Sequence, residues 1–269
     1  MTSFLSLTPA LILAWLSLSP ATAAQSLPDG DEIARRVNAR EDGNELVRSV
    51  KMELINRRGK RRVRHARSYR KYLGLEKRTV VFFTSPSNIK GTAFLTYDYP
   101  EAGREDDQWL YLPALGKVRR ISAAQRGDYF LGTDFSHEDI KTEVKLDLED
   151  YTRKTLRQEL VDGHTCLVLE EVPVSRKVAR EIGYGRVLRW VDAEIWIGRK
   201  AEFWDLKGRH LKTMHLQDIR QVQDIWTVHR TQVDNHKTGH TTVFTFTEVD
   251  YATGIDDEIF TQRALRRGH

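Results

Sequence analysis

The sequence predicts a mainly β fold: a large curved antiparallel sheet that forms an open, unclosed β-barrel capped by short helices. Three observations carry this. Period-two alternation runs through most of residues 46–249. The alternating runs are joined at Arg58-Gly59-Lys60, Leu115-Gly116-Lys117, Asp162-Gly163 and Lys207-Gly208, and Asp-Gly between such runs is a strong hairpin signal. Hairpin links make neighbouring strands antiparallel, and helical patterns are few and short, which favours one meandering sheet.

The elements follow in order. Asp31–Val37 predicts a short helix with acids at its start. Leu46–Asn56 carries Leu46, Val50, Met52 and Leu54 on one face, and Arg61–Leu73 returns beside it. Arg78–Thr84, Ala93–Tyr99, Gln108–Leu112 and Val118–Ser122 read as further strands. Glu138–Asp150 reads as helical or irregular. Thr152–Val161 and His164–Val172 form a hairpin, and Val187–Ile197, Ala201–Leu206 and His210–Leu216 follow. Asp224–Gln232 and Thr241–Val249 are joined through Asn235–Gly239, and Asp256–Arg267 is the last helical or irregular segment. No linker, low-complexity tract or fixed repeat interrupts the chain, so residues 24–269 read as one domain, a normal length for a single sandwich or barrel.

The first 23 residues set the compartment. Phe4–Leu18 is uncharged and too short for a comfortable membrane span. Pro20 and the A-x-A signal Ala21-Thr22-Ala23 follow, so a secretory signal peptide is expected to be cleaved after Ala23, with Ala24 as the alternative. The start Met1-Thr2-Ser3 lacks the usual Lys or Arg, and an uncleaved anchor is the competing reading. No Cys stands at the cleavage site, which argues against a lipid anchor, and the lone Cys166 has no intrachain disulfide partner and reads as a buried, inert thiol. A net charge of +5 in an exported protein points to anionic headgroups or an acidic partner and away from nucleic acid.

Residues 92–140 hold no nucleophile with a base at usable spacing, no metal-ligand set and no phosphate loop. They hold aromatic-rich strands, a profile that suits holding an apolar ligand. In Val187–Ile197 and Thr241–Val249 apolar residues fall on both faces, as in a sheet with an apolar inside and a partly covered outside. Trp109, Trp190, Trp196, Trp204 and Trp226 suit a packed core or a cavity wall equally well. The residues expected to line an apolar cavity are Met52, Leu54, Phe94, Leu110, Leu112, Trp190, Ile195, Trp204 and Phe246; a solidly filled core is the open alternative.

Three clusters have competing readings. Arg57, Arg58, Lys60, Arg61, Arg62, Arg64 and Arg67 surround a hairpin tip, expected to be exposed and to dock on an anionic membrane surface or acidic partner; the alternative is a solvated tip that blunts aggregation. Asp134, His137, Glu138 and Asp139 offer acid–base or metal chemistry in principle, but Ser136-x-x-Asp139 fits a helix N-cap, with Phe135 buried beneath. His236 and His240 have zinc-like spacing but flank a hairpin turn, so no metal site, catalytic residue or cofactor is expected.

The runs DDQWLYLPALGKVRRIS at 106–122, GTDFSHEDI at 132–140, WVDAEIWIGRKAEFWDLKGRHLKTM at 190–214 and TGHTTVFTFTEVDYATGIDDEIFTQRAL at 238–265 together resemble the periplasmic outer-membrane lipoprotein-sorting group, relatives of the LolA/LolB lipoprotein carriers. The resemblance covers nearly the whole chain after residue 23. It implies an open β-barrel with an apolar cavity for acyl chains, a lipid or lipoprotein cargo, and association with an inner-membrane exporter of the resistance-nodulation-division type. The resulting expectation is a periplasmic carrier or chaperone. An exporter adaptor that binds no lipid and a periplasmic hydrolase using the loop 134–139 are the alternatives.

Overall fold

A computed structural model describes residues 26–100, 104–143 and 145–268. The expected signal peptide, residues 1–23, lies outside the described residues. Helix α1 (Gly30–Ala39) opens them, capped by the Asp29 carboxylate, which accepts from the Asp31 N–H at 3.1 Å. Thirteen strands follow: β1 (Glu45–Ile55), β2 (Arg61–Leu73), β3 (Glu76–Ser85), β4 (Ala93–Asp98), β5 (Asp107–Leu112), β6 (Lys117–Ile121), β7 (Tyr151–Val161), β8 (His164–Pro173), β9 (Arg186–Asp192), β10 (Gly198–Trp204), β11 (His210–Val222), β12 (Ile225–Asn235) and β13 (His240–Asp250). Helix α2 (His137–Lys141) lies between β6 and β7, α3 (Arg176–Ile182) between β8 and β9, and α4 (Gln262–Arg267) after β13.

All thirteen strands join one sheet in the order β6-β5-β4-β3-β2-β1-β13-β12-β11-β10-β9-β8-β7. Every adjacent pair is antiparallel, as hairpin connections require. The strands begin with β1 in the middle of the sheet, meander out to β6, cross to the opposite edge and meander back until β13 pairs with β1. The edge strands β6 and β7 do not pair, so the barrel stays open.

The sheet curls around the crossing segment, residues 122–150. Val81 of β3 and Val191 of β9 line the same cavity. In a flat sheet, seven inter-strand gaps of about 4.8 Å would hold them roughly 34 Å apart. Inside the curl, Phe130 of the crossover sits 5.1 Å edge-to-face from Phe94 of β4, and Phe135 stacks 4.2 Å from Phe244 of β13. These rings head the largest apolar cluster, with Val50, Met52, Phe83, Phe203 and Phe246. On the outer face, Phe260 and Leu265 of the C-terminal segment pack on Val80, Phe82 and Leu95. At the β7 edge, α1 buries Ile33 and Val37 against Leu167, Leu169 and Val191.

Two expectations need correction. Val187–Ile197 is not one strand: β9 ends at Asp192, whose carboxylate accepts from the N–H groups of Glu194 (2.9 Å) and Ile195 (3.2 Å), and this local turn outcompetes the ladder. Helix α3 was not read from the sequence, although Ser175 caps it by accepting from the Val178 N–H at 3.2 Å.

Candidate functional site: an inner cavity with a charged rim

The sheet's inner face changes character along each strand. On β1 it runs from Leu54, Met52 and Val50 to Arg48; on β3, from Phe83 and Val81 to Thr79 and Lys77; on β4, from Phe94 to Thr96 and Asp98. The registers align these rows, pairing Val81 with Phe94, Thr79 with Thr96 and Lys77 with Asp98. A cavity of about 140 Å³ lies where the apolar rows give way to charged ones. Its wall includes Val50, Met52, Ala201, Met214, Leu216 and Phe246, with Phe130 and Phe135 of the crossover beneath. It adjoins an open vestibule of about 970 Å³, and Arg40, Asp42, Lys77, Lys141, Thr142 and Leu146 border both.

The rim is a web of ion pairs. Arg70 donates to the Asp42 carboxylate, and Lys145 approaches the same group at 3.3 Å. Arg48 donates to Glu143 at 2.5 Å while lying over the Phe246 ring at 3.9 Å. Lys77 meets Asp98 at 2.7 Å, and Lys141 meets Asp106 at 2.5 Å and Asp147 at 3.3 Å. Burial alone would raise the pKa of Asp42 and Glu143; Arg70 and Lys145 beside the first, and Arg48 beside the second, outweigh it and leave both below the usual carboxylate range.

Met52 and Phe246, of the residues expected to line a cavity, do so. Leu54 packs in the main apolar cluster and borders a separate pocket of about 210 Å³ near Arg62 and His240. Phe94 is fully buried under Phe130, and Leu110 packs half-buried against the same cluster. Leu112 is half-buried on β5, and Ile195 sits in the turn after β9; neither reaches the cavity wall. Trp190 and Trp204 are corrections, because both belong to an outer-face cluster with Cys166, Val168 and Leu188. There Lys200 caps Trp190 at 4.3 Å and Arg186 caps Trp204 at 4.7 Å. Cys166 is buried, and that burial pushes its thiol up to about 11. Trp196 and Trp226, which fit a core or a cavity wall by type, lie on the wall, and the wall residues missed include Phe203 and Met214. Their signal was the strand period, but it does not tell inner from outer face when both are apolar.

Arg57, Arg58, Lys60, Arg61 and Arg62 are exposed around the β1–β2 turn. Arg64 and Arg67 correct the expectation of seven exposed cations. Arg64 is half-buried and donates to the Leu131 carbonyl at 2.7 Å, and Arg67 is paired with Glu248 and donates to Ser49 at 2.9 Å. This tip stands at the opposite end of β2 from the vestibule, about 40 Å away for a 13-residue strand.

The loop 134–139 folds into structure. Ser136 and Asp139 form a reciprocal cap, with Ser136 N–H to Asp139 at 2.6 Å and Asp139 N–H to the Ser136 hydroxyl at 3.1 Å. Asp139 also accepts from the fully buried Lys212 and from the Tyr184 hydroxyl at 2.9 Å. Asp134 accepts from Thr242 at 2.6 Å and Asn235 at 3.0 Å, and Glu138 from Arg126 at 2.8 Å. Phe135 is buried beneath the loop, as the cap reading requires. His236 sits in the β12–β13 turn and pairs with the Thr213 hydroxyl at 2.8 Å. Among the described residues no group of three or more His, Cys, Asp or Glu side chains is placed to hold a metal ion.

Known proteins fit this architecture. A candidate outer membrane lipoprotein-sorting protein domain from Vibrio parahaemolyticus is 31% identical, with a TM-score of 0.80 over 88% of this chain and 98% of that one. The chain belongs to the LolA-like lipoprotein-sorting family. A DUF1329 family protein from Desulfovibrio piger matches nearly as well, at 30% identity and a TM-score of 0.80 over 88% of this chain and 97% of its own. A LolA superfamily protein from Nitrosomonas europaea shares the fold at 22% identity and a TM-score of 0.66, over 88% of this chain and all of its own. A family model describing uncharacterized proteins matches residues 75–267. No curated protein matches the chain. Among the described residues no helix is long and apolar enough to cross a membrane.

Proposed function

We propose that this member of the lipoprotein-sorting family is a periplasmic carrier that shields an acyl chain of a lipid or lipoprotein and passes it toward the outer membrane. The observation that carries the reading is the apolar cavity of about 140 Å³ between sheet and crossover, opening into a vestibule wide enough for a headgroup. Removing a chain from water contributes about 0.8 kcal/mol per methylene. Handing it over requires that this grip stay moderate. The cavity alone is smaller than the roughly 300–1,000 Å³ typical of ligand pockets, so a long chain extends into the vestibule. Cleavage after Ala23 would release the carrier as a single domain of residues 24–269. The basic tip at Arg57, Arg58, Lys60, Arg61 and Arg62 would dock on anionic headgroups or on an exporter of the resistance-nodulation-division type.

Native mass spectrometry of the chain purified without detergent, with lipid extraction alongside, tests the carrier reading. The expected result is a mass increment that the extract identifies as lipid. An unliganded mass, together with no binding of a fluorescent fatty acid, would sink it and favour the lipid-free adaptor. Docking has its own test. The protein should bind anionic liposomes and not neutral ones, and lose that binding as salt shortens the screening length from about 10 Å at 0.1 M to about 3 Å at 1 M. The variant Arg58→Glu, Arg61→Glu, Arg62→Glu should abolish it and leave the fatty-acid probe bound. Equal liposome binding by that variant would make the tip a solvated hairpin only.

A further inference from the structure

The rim of the cavity leaves one guanidinium without a carboxylate partner. Seven cations, Arg40, Arg48, Arg70, Lys77, Arg126, Lys141 and Lys145, share the network with seven carboxylates, Asp42, Asp98, Asp106, Glu138, Glu143, Asp147 and Asp150, but the pairing is uneven. Arg40 is the one without a carboxylate within 4.0 Å among the described residues. Its Nη1 donates only to the carbonyls of Glu41 at 3.1 Å and Trp226 at 3.3 Å. Burial pulls its pKa down, as it does for a guanidinium that has lost water without gaining a full counter-charge.

A second observation points the same way. The Nε–H groups of Arg40, Arg48 and Arg70 are all buried, and none has a hydrogen-bond partner. Arg48 and Arg70 are more than nine-tenths buried, and all three residues line the apolar cavity. Their Nη atoms are occupied by Glu143, Asp42 and main-chain carbonyls. Buried polar groups are almost always paired, so three orphaned donors of one charge at one cavity call for an acceptor. A guanidinium presents its donors in a planar fork that matches carboxylate and phosphate oxygens. The neighbouring wall is Val50, Met52 and Phe246, which offers no acceptor and suits methylenes. An apolar void of about 150 Å³ takes a benzene-sized group, so this one admits the end of one chain and not a bundle of them.

We infer that the Arg40–Arg48–Arg70 rim receives the anionic headgroup, carboxylate or phosphate, of a single-chain amphiphile whose tail lies along Val50, Met52 and Phe246. The inference rests on the carrier reading and adds the headgroup class to it. The negative oxygens give Arg40 the anionic partner it lacks, while the apolar rows receive the chain beside it.

The test is calorimetric titration of residues 24–269 at pH 8 with dodecanoate, its methyl ester and dodecyl phosphate. Dodecanoate should bind at least tenfold more tightly than the ester. Arg40→Gln should reduce that preference to within threefold, and an unfolding midpoint within a few degrees of the unaltered protein shows that the cavity is still folded. Arg40→Lys should restore the preference in part. Tighter binding of dodecyl phosphate than of dodecanoate identifies a phospholipid-type source, and the reverse order a free fatty acid; either order supports the rim. Equal binding of acid and ester by the unaltered protein overturns the headgroup inference and leaves the carrier reading standing. A preference that survives Arg40→Gln overturns it as well. Binding of none of the three probes overturns the carrier reading and the inference with it.

Discussion

The two ends of the inner face are made by the same strands and have opposite fates. Toward the β1–β2 turn, the rows Leu54–Met52–Val50, Phe83–Val81 and Phe94 meet the rings of Phe130 and Phe135 in the main apolar cluster. Toward the β2–β3 turn, the rows continue as Arg48, Thr79 with Lys77, and Thr96 with Asp98, and the space stays open as a vestibule. Charged side chains hold one another in ion pairs and cannot close-pack like rings, because each must keep polar partners. The cavity sits at the seam. The crossover therefore has two roles: it completes a core where the sheet is apolar, and it forms the floor of the cavity where the sheet turns polar.

The strongest way to break this comparison is at the packed end. Phe135→Ala removes a ring stacked 4.2 Å from Phe244 and should cost about 3–5 kcal/mol, read from the midpoint of urea unfolding. A loss below about 1 kcal/mol would mean that the packed end is as loose as the open one. At the seam the balance should invert. Leu216 is half-buried and lines the cavity, so Leu216→Trp fills space that a ligand would use. Stability should change by less than about 1 kcal/mol, as expected of a substitution into free volume, while fatty-acid affinity falls about tenfold, or about 1.4 kcal/mol. Unchanged affinity would place the ligand elsewhere.

Acid should separate the ends by pH range, with the smallest effect. Burial between Phe94 and Phe130 lowers the pKa of His137 at the packed end. The unfolded chain then takes up a proton near pH 6.5 that the folded chain refuses, so stability is full above that pH and declines as pH falls through it. Asp42 and Glu143 at the rim also have lowered pKa values, from ordinary values near 4. Their contribution is full above that range and is lost only as pH falls below it. Unfolding midpoints measured from pH 8 to pH 3 should show a first decline at the packed end and a second at the rim, and His137→Phe should remove only the first. A single decline below pH 4.5 in the unaltered protein would contradict the assignment of His137.

Local chemistry was enough to find most of this protein in its sequence. Alternation and turn residues placed β1 and β2 almost to the residue, and Ser136 with Asp139 announced the cap of α2, because both signals act over two to four residues. The turn at Asp192 was missed because apolar residues continue through Ile195–Ile197 and mask it. Which face of β9 looks inward was beyond the sequence: Trp190 and Val191 are both apolar and both buried, yet only Val191 reaches the cavity. Period two divides a strand into two faces without naming either, and only the curl of the sheet around residues 122–150 names them. The same holds for the rim. Arg40, Arg48 and Arg70 are scattered basic residues along the chain, whereas the exposed run at Arg57–Arg62 attracted notice by its density. Antiparallel pairing brings Arg48 and Arg70 onto neighbouring positions of β1 and β2, and the end of α1 sets Arg40 beside them. Contacts between residues far apart in the chain are set by register and closure, so tertiary structure alone brought those three arginines to one cavity.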